Sequence, residues 1–398
     1  MKKVFKVVLA FVIIIAVGFT GFTLGSNSSQ QISQEISRND QEYIDNINYL
    51  KEIINQNYLF DYDEKDLEVG SYKGLFEGLN DQYSVYYTKE EFDKLLEDTS
   101  GEYAGIGVVI SPSEAGLIKI VDVFKDSPAD KAGLKVDDYI IKVKDKEYSD
   151  TDIDKAVSQM KGKEGTSVDI TILRLSEDGK EEKEINKTIE RENIIKPTVQ
   201  SQVVDGENVG YIRISEFDEV TTEDFKKALS DLESKNVDGI VLDLRNNPGG
   251  LLDTALDIAD IFLDEGVIVS TKDKDGKEVV EKSDSEKDDI KLTVLINENS
   301  ASASEILSGA LKDRQRAKVV GTTSFGKGIV QKVFPISTDG AGVKITVSEY
   351  FTPSGEKIHQ IGVKPDEQVK SDISAGEIGI DNYSKDNQLQ KAVELLKK

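Results

Sequence analysis

The sequence has no cysteine and a single histidine, His359. The first absence excludes disulfides, thiolate metal sites and a cysteine nucleophile. It leaves the compartment open, because a cysteine-free chain tolerates any redox environment. The second confines any Ser-His-Asp site to the surroundings of His359, which sits in a polar C-terminal stretch and reads more simply as a surface or structural residue. Positive charge is also scarce. There are 50 Lys and Arg against 75 Asp and Glu, a formal net charge of −25. With no dense basic stripe beyond the extreme N-terminus, nucleic acid is a poor partner. No metal or organic cofactor is implied.

What is present is a chain of 398 residues, 38% hydrophobic and 31% charged, long enough for two or three domains. Lys2, Lys3 and Lys6 precede an uncharged run of 18 residues from Val7 to Leu24. Such a run can just span a bilayer as a helix. Its basic flank stays cytoplasmic, which places the body outside, at the cell surface or in the periplasm. Residues 1–28 are therefore expected to form a membrane anchor. A cleaved signal peptide, leaving a secreted protein, is the alternative, although no clear small-x-small cleavage site is present.

Residues 29–98 open with a polar linker. Ile44, Ile47, Leu50, Ile53 and Ile54 then recur at helical spacing, and a second helix is expected over 72–79. This region suits docking or homodimer formation. Residues 99–180 read as a β-rich module, with strands expected at 106–110, 117–123, 139–143 and 167–173. Between them lie a helical turn, Ser127-Pro-Ala-Asp-Lys-Ala-Gly-Leu134, and a helix over 151–160. Residues 181–380 alternate strands and helices, the order of a layered α/β domain. The charged run 272–289 is expected to be a surface loop. Residues 381–398 end in a short amphipathic helix.

Ser302, in Asn299-Ser-Ala-Ser302-Ala-Ser-Glu305, follows an apolar strand and opens a helix. A hydroxyl there projects from a tight turn toward free N–H groups and a positive dipole, as a nucleophile requires. The same residues also spell a capping box, in which Ser302 merely caps the helix and Glu305 bonds back. Lys327 lies between Gly326 and Gly328, which let the backbone approach another segment closely. Burial could lower its pKa enough for it to act as a base; otherwise it is an ordinary loop lysine. Gln331, four residues on, could orient the ammonium or simply face solvent. Asp243-Leu-Arg-Asn-Asn-Pro-Gly-Gly250 joins a strand to a helix. The amides of Gly249 and Gly250, with that of Ala303, could hold an oxyanion. No Gly-Lys-Ser/Thr follows, so this is not a P-loop. Asp313 lies eleven residues beyond Ser302, roughly 16 Å along a helix, too far to serve it.

Six segments in order resemble the carboxyl-terminal processing proteases, from Asp66 onward: Leu79-Asn-Asp-Gln-Tyr-Ser84, Ser127 to Leu134, Asp243 to Gly250, Asn299 to Glu305, Phe325-Gly-Lys-Gly328 and Phe351-Thr-Pro-Ser-Gly355. The resemblance implies a Ser302–Lys327 dyad with Gln331 positioning the lysine. It implies an α/β, crotonase-like core of ββα superhelical units with an inserted PDZ domain. In that domain the loop Gly105-Ile106-Gly107-Val108 would bind the carboxylate of an apolar protein tail, and Arg174 would help order the active site. At Val136-Asp137-Asp138 the family more often has glycine before the aspartate, which concerns a turn only. The activity expected is tail-directed endopeptidase cleavage. A membrane-tethered PDZ scaffold without catalysis and a crotonase-type acyl transferase are the rivals.

Overall fold

A computed structural model describes residues 38–176, 182–336 and 339–397. The chain divides into two compact units, residues 1–70 and 71–398. The expected anchor lies outside the described residues. Among the described residues, no helix is long and apolar enough to cross a membrane. In the first unit, helix Arg38–Asn57 leaves Ile44, Tyr49, Leu50 and Ile53 exposed. Helix Glu64–Glu77 begins well before the expected residue 72. Glu64 and Asp66 in its first turn suit the positive end of the helix dipole, a signal that apolar periodicity does not carry.

The β-rich module has its own core of Ile118, Ile120, Ile140, Val168, Ile170, Ile172 and Ile189. Its strands run Val108–Pro112, Ile118–Val123, Tyr139–Val143, Ser167–Leu175 and Glu182–Glu190, in that spatial order. The last strand pairs along the whole length of Ser167–Leu175. The module therefore continues past the expected limit at residue 180. Strand Glu182–Glu190 is so charged on its exposed face that composition hid its period-2 pattern.

The main sheet orders its strands Val199–Val203, Gly210–Ile214, Gly239–Asp243, Lys291–Ile296, Lys318–Gly321 and Glu367–Gln368. All but the first pair are parallel. Helices cover both faces, so the central strands are apolar throughout. Ile240, Leu242, Val294 and Ile296 face helices Thr221–Ser234, Leu252–Phe262 and Ala303–Asp313. Their neighbours Val241 and Leu295 face the C-terminal helix Asn387–Leu396 through Leu389, Ala392 and Val393. A second sheet contains Val85–Tyr87, Gly266–Asp273, Glu278–Ser283, Ile329–Pro335 and Gly342–Phe351. Here the expected loop over 272–289 is corrected. Much of it is a hairpin, Gly266–Asp273 against Glu278–Ser283, turned at Gly276. Its strands have a solvated face, which tolerates the charge.

Candidate active site

Ser302, Ala303, Lys327, Gln331, Gly249 and Gly250 line one cavity of about 420 Å³. A larger cavity, about 810 Å³, lies beside helices Glu64–Glu77 and Lys89–Ser100. Its serine, Ser84, has its hydroxyl proton committed to Asp81 at 2.6 Å.

Ser302 sits where the strand Lys291–Ile296 gives way to the helix Ala303–Asp313. Its φ of 55° is uncommon for a residue with a side chain. The turn is over-determined by its neighbours. Asn297 N–H donates to the Ser300 hydroxyl at 2.9 Å, and that hydroxyl donates to the Leu244 carbonyl at 2.8 Å. The Ala301 N–H and the Ser304 hydroxyl both bond the Asn247 carbonyl at 3.0 Å. The Ser302 N–H donates to the Glu305 carboxylate at 2.9 Å, one half of a capping box. The Glu305 amide faces the Ser302 side chain, but its hydrogen bond goes to the Ser302 carbonyl at 2.8 Å. The hydroxyl makes no cap hydrogen bond.

Glu305 does more than cap. It is fully buried, and one of its oxygens accepts from the Ser324 hydroxyl at 2.6 Å and the Gly326 N–H at 2.7 Å. The other accepts the N–H groups of both Ser302 and Lys327, each at 2.9 Å. One carboxylate thus fastens the backbones of both residues of the expected dyad. Tyr350 adds a second fastening. Its hydroxyl donates to the Lys327 carbonyl at 2.6 Å and lies 3.2 Å from that of Ser302. Burial, followed by the neighbouring Glu305, pushes the Tyr350 hydroxyl well above its ordinary pKa and keeps it a donor. Sequence reasoning recognised Glu305 only as a capping partner and missed Tyr350. Neither residue's second role has a local signal.

The glycines beside Lys327 do what their chemistry allows. A Cβ on Gly328 would meet the His359 nitrogen at 2.2 Å, and Gly326 has a φ of +89°. Lys327 is half-buried. Burial first, then repulsion from Lys344, pulls its ammonium below the ordinary lysine range, against the opposing pull of Glu305 and Asp81. Its Nζ rests 4.8 Å from the centroid of the Tyr83 ring. Among the described residues no hydrogen bond joins it to Ser302 or Gln331. Gln331 follows a β-bulge at Val330, and its Nε2 lies 3.4 Å from both the Ile329 carbonyl and the Thr346 hydroxyl.

The oxyanion assignment needs one correction. The Gly249 N–H is committed to the Asn247 side chain at 2.8 Å and is not free to receive an oxyanion. Gly249 instead supplies room, since a Cβ there would meet the Ser302 Cβ at 2.7 Å. No hydrogen bond engages the Gly250 or Ala303 amides among the described residues, so these two remain as donors. Asp313 is elsewhere, accepting the Ser354 N–H at 3.0 Å. His359 packs its backbone on Gly328, with a buried Nδ1 that has no hydrogen-bond partner among the described residues.

In the β-rich module, Gly105, Ile106, Gly107 and Val108 line a smaller cavity of about 180 Å³ with Val157 and Met160. Gly107 has a φ of +81°, and its carbonyl accepts the Phe124 N–H at 3.0 Å. Arg174, expected to help order the active site, lines neither that cavity nor this groove. Its guanidinium holds Asp138 at 2.6 and 2.7 Å and the Gly133 carbonyl at 2.8 Å. It braces the module internally.

Residues 208–369 match the family model of Peptidase family S41, and residues 119–174 match that of the PDZ domain. The carboxy-terminal processing protease CtpA of Bacillus subtilis (strain 168) is 36% identical over 93% of this chain and 77% of its own. The carboxyl-terminal-processing protease of Synechocystis sp. is 38% identical over 80% of this chain and 74% of its own. Among solved structures, the photosystem II D1 C-terminal processing protease is similar with a TM-score of 0.51 and 26% identity, covering 88% of this chain and 90% of that one. Likeness at this level over nearly the whole chain settles the family: the chain is a serine-type peptidase of the carboxy-terminal processing proteases in peptidase family S41, with a mixed α/β fold and a PDZ domain.

Proposed function

We propose that the protein cleaves other proteins after capturing their C-terminal tails, with Ser302 as nucleophile and Lys327 as general base. The observation that carries this reading is the shared cavity, in which a hydroxyl at a helix N-terminus and a lysine with a depressed pKa meet two uncommitted amides. A tail with an apolar last residue enters the groove at Gly105–Val108 and adds as a strand. Neutral Lys327 leaves the Tyr83 ring and takes the proton from the Ser302 hydroxyl. The oxygen attacks the scissile carbonyl, and the amides of Gly250 and Ala303 hold the oxyanion. The Lys327 ammonium then protonates the departing amine as the C–N bond breaks. Water attacks the acyl ester, gives its proton to Lys327, and Lys327 returns one to Ser302. Gln331 steadies the lysine. Strands Val199–Val203 and Gly210–Ile214 followed by helix Thr221–Ser234 have the order of one ββα unit, which supports the crotonase-like reading of the core. An N-terminal anchor with the body outside the cytoplasm belongs to the same proposal. Digestion of the body by protease added to intact cells tests that part.

The test of activity incubates full-length wild type, Ser302→Ala and Lys327→Ala with an unstructured protein ending in either apolar or charged residues, followed by mass spectrometry. Cleavage by wild type alone, favouring the apolar tail, is expected. Full activity in Ser302→Ala would sink the assignment. Tail binding without cleavage in all three would favour a scaffold.

A further inference from the structure

Apart from the Tyr83 ring on which Lys327 rests, the segment Asp81-Gln-Tyr-Ser84 takes no part in the steps above, yet it reaches the site on two sides. It forms a tight turn. The Asp81 carboxylate accepts the Tyr83 N–H at 3.0 Å and the Ser84 hydroxyl at 2.6 Å, and the Ser84 N–H returns to the Asp81 carbonyl at 3.1 Å. This turn lays the Tyr83 ring over the Lys327 Nζ at 4.8 Å. It also reaches strand Gly342–Phe351. The Thr346 hydroxyl lies 2.7 Å from the Asp81 carboxylate, and the Thr346 N–H donates to Ser84 Oγ at 3.0 Å.

The direction of these hydrogen bonds matters. Burial pushes the Asp81 pKa up, but the hydrogen bonds from Ser84, Thr346 and Tyr83, with nearby His359, outweigh it and hold the group below the usual range. A carboxylate can only accept. The single hydroxyl proton of Thr346 therefore goes to Asp81, and Thr346 Oγ1 is left as an acceptor. The Gln331 end that approaches it, at 3.4 Å, is the Nε2 donor. The Ile329 carbonyl, also at 3.4 Å, can only accept as well. With both neighbours accepting, the Gln331 amide cannot turn over, and its Oε1 is left for a donor. Two ammonium groups share its cavity, those of Lys327 and Lys344. Lys344 rests 5.6 Å from the Tyr87 ring centroid, and Lys327 is the one the dyad reading needs held.

We propose that Asp81, acting through Thr346, is a positioning residue that sets the sense of the Gln331 amide and so presents its carbonyl oxygen to Lys327. This rests on the dyad reading given above. The charged and titratable groups around Lys327 include Glu305 on helix Ala303–Asp313, Lys344 and Tyr350 on strand Gly342–Phe351, and Asp81 and Tyr83 on the turn, with His359 beyond Asp81. Of these, only Asp81 reaches Gln331 through Thr346.

The test is a double-mutant cycle on the full chain with a tail-bearing protein substrate. Thr346→Val keeps the side-chain shape and removes the hydroxyl. It should lower kcat about tenfold, the worth of one well-placed hydrogen bond, with little change in KM. Asp81→Asn should do the same, because its amide can donate to Thr346 and turn that hydroxyl toward Gln331. In a Gln331→Ala background, Thr346→Val should cost less than about twofold, since there is no amide left to orient. The same factor in both backgrounds, or no loss of kcat in the single variants, overturns the proposal. Unchanged thermal unfolding of Thr346→Val separates positioning from misfolding. A fully active Lys327→Ala would overturn the dyad and this proposal together; a dead Lys327→Ala with a silent Thr346→Val overturns only this one.

Discussion

At the scale of single residues, the proposed base Lys327 is held at a cost to stability. Burial, aided by Lys344, depresses its pKa. Between that depressed value and the ordinary lysine value near ~10.4, the unfolded chain binds more protons than the folded one. Stability therefore rises with pH through this window, and below it the buried ammonium carries its full penalty. Lys327→Met should abolish cleavage while raising Tm at pH 7 by roughly 1–3 °C. The gain should shrink as the pH approaches 10. A lower Tm in the variant would show that Tyr83, Glu305 and Asp81 hold the ammonium favourably on balance. Activity should fall on the acid side with an apparent pKa below that of free lysine, because only neutral Lys327 can take the proton from Ser302. A rate profile flat down to pH 5 would remove lysine as the base.

At the scale of elements, the loop Gly105–Val108 is shaped by one backbone conformation. At Gly107 the φ of +81° disfavours any side chain, and a Cβ would meet the Ser127 Cβ at 2.4 Å. The Ser127 hydroxyl bonds the Gly107 carbonyl at 3.2 Å and also caps the helical turn Pro128–Lys131. Gly107→Ala should therefore distort the groove without touching the proposed dyad. Tail-peptide affinity, followed by fluorescence anisotropy, should drop at least about tenfold, as expected where strain and a clash coincide. Cleavage of a tailless unfolded substrate should persist. Undiminished peptide binding would place tail recognition elsewhere. Much of this element was legible in sequence: the glycines, and the serine-proline start of the turn. The place of Arg174 was not, because whether an arginine reaches the active site or a neighbouring aspartate depends on strand register. Asp138 comes from an unrelated part of the chain.

At the scale of the whole molecule, a buried ionic cluster ties the C-terminal helix to the loop that carries Gly250, one of the two proposed oxyanion donors. Arg245 is fully buried. It donates to Asp243 at 2.6 Å, to Asp386 at 2.8 and 2.9 Å and to Gln388 at 3.0 Å. Asp243 also accepts from the Tyr211 hydroxyl at 2.8 Å. Burial alone would raise the Asp243 pKa, but Arg245 outweighs it and holds the carboxyl below its usual range. This contribution to stability is complete above the ordinary aspartate value near ~3.9 and is lost as the pH falls through the depressed one. Asp386 also caps the C-terminal helix, accepting the Leu389 N–H at 3.0 Å. Asp386→Asn keeps the size and a cap acceptor but leaves the cluster one negative charge short. Denaturant unfolding should show a loss of about 3 kcal/mol, the scale of breaking a buried pair. A loss below about 1 kcal/mol would mean the cluster adds little to holding the helix in place.

The sequence by itself determined where many of the core strands and helices lie, because apolar periodicity and glycine punctuation are local signals; Val199–Val203, Ile329–Pro335 and Gly342–Phe351 were not among them. It determined that a Ser-Lys solution was the simplest serine-hydrolase chemistry available, since cysteine is absent and histidine occurs once. It placed Ser302 at a helix start and Lys327 between glycines. It did not show the strand Glu182–Glu190 or the hairpin through 272–289, where charge on an exposed face masks alternation. Only the tertiary structure decided how Ser302 and Lys327 meet, through a carboxylate, Glu305, whose sequence pattern speaks only of capping. Only it decided that the Gly249 amide is spent on Asn247, and that Tyr83 and Asp81, well over two hundred residues upstream, lie beside Lys327 and Thr346. The reason is physical. Element type follows from neighbours a few residues apart, whereas pKa, hydrogen-bond direction and cavity shape are set by atoms that the fold brings together from distant parts of the chain.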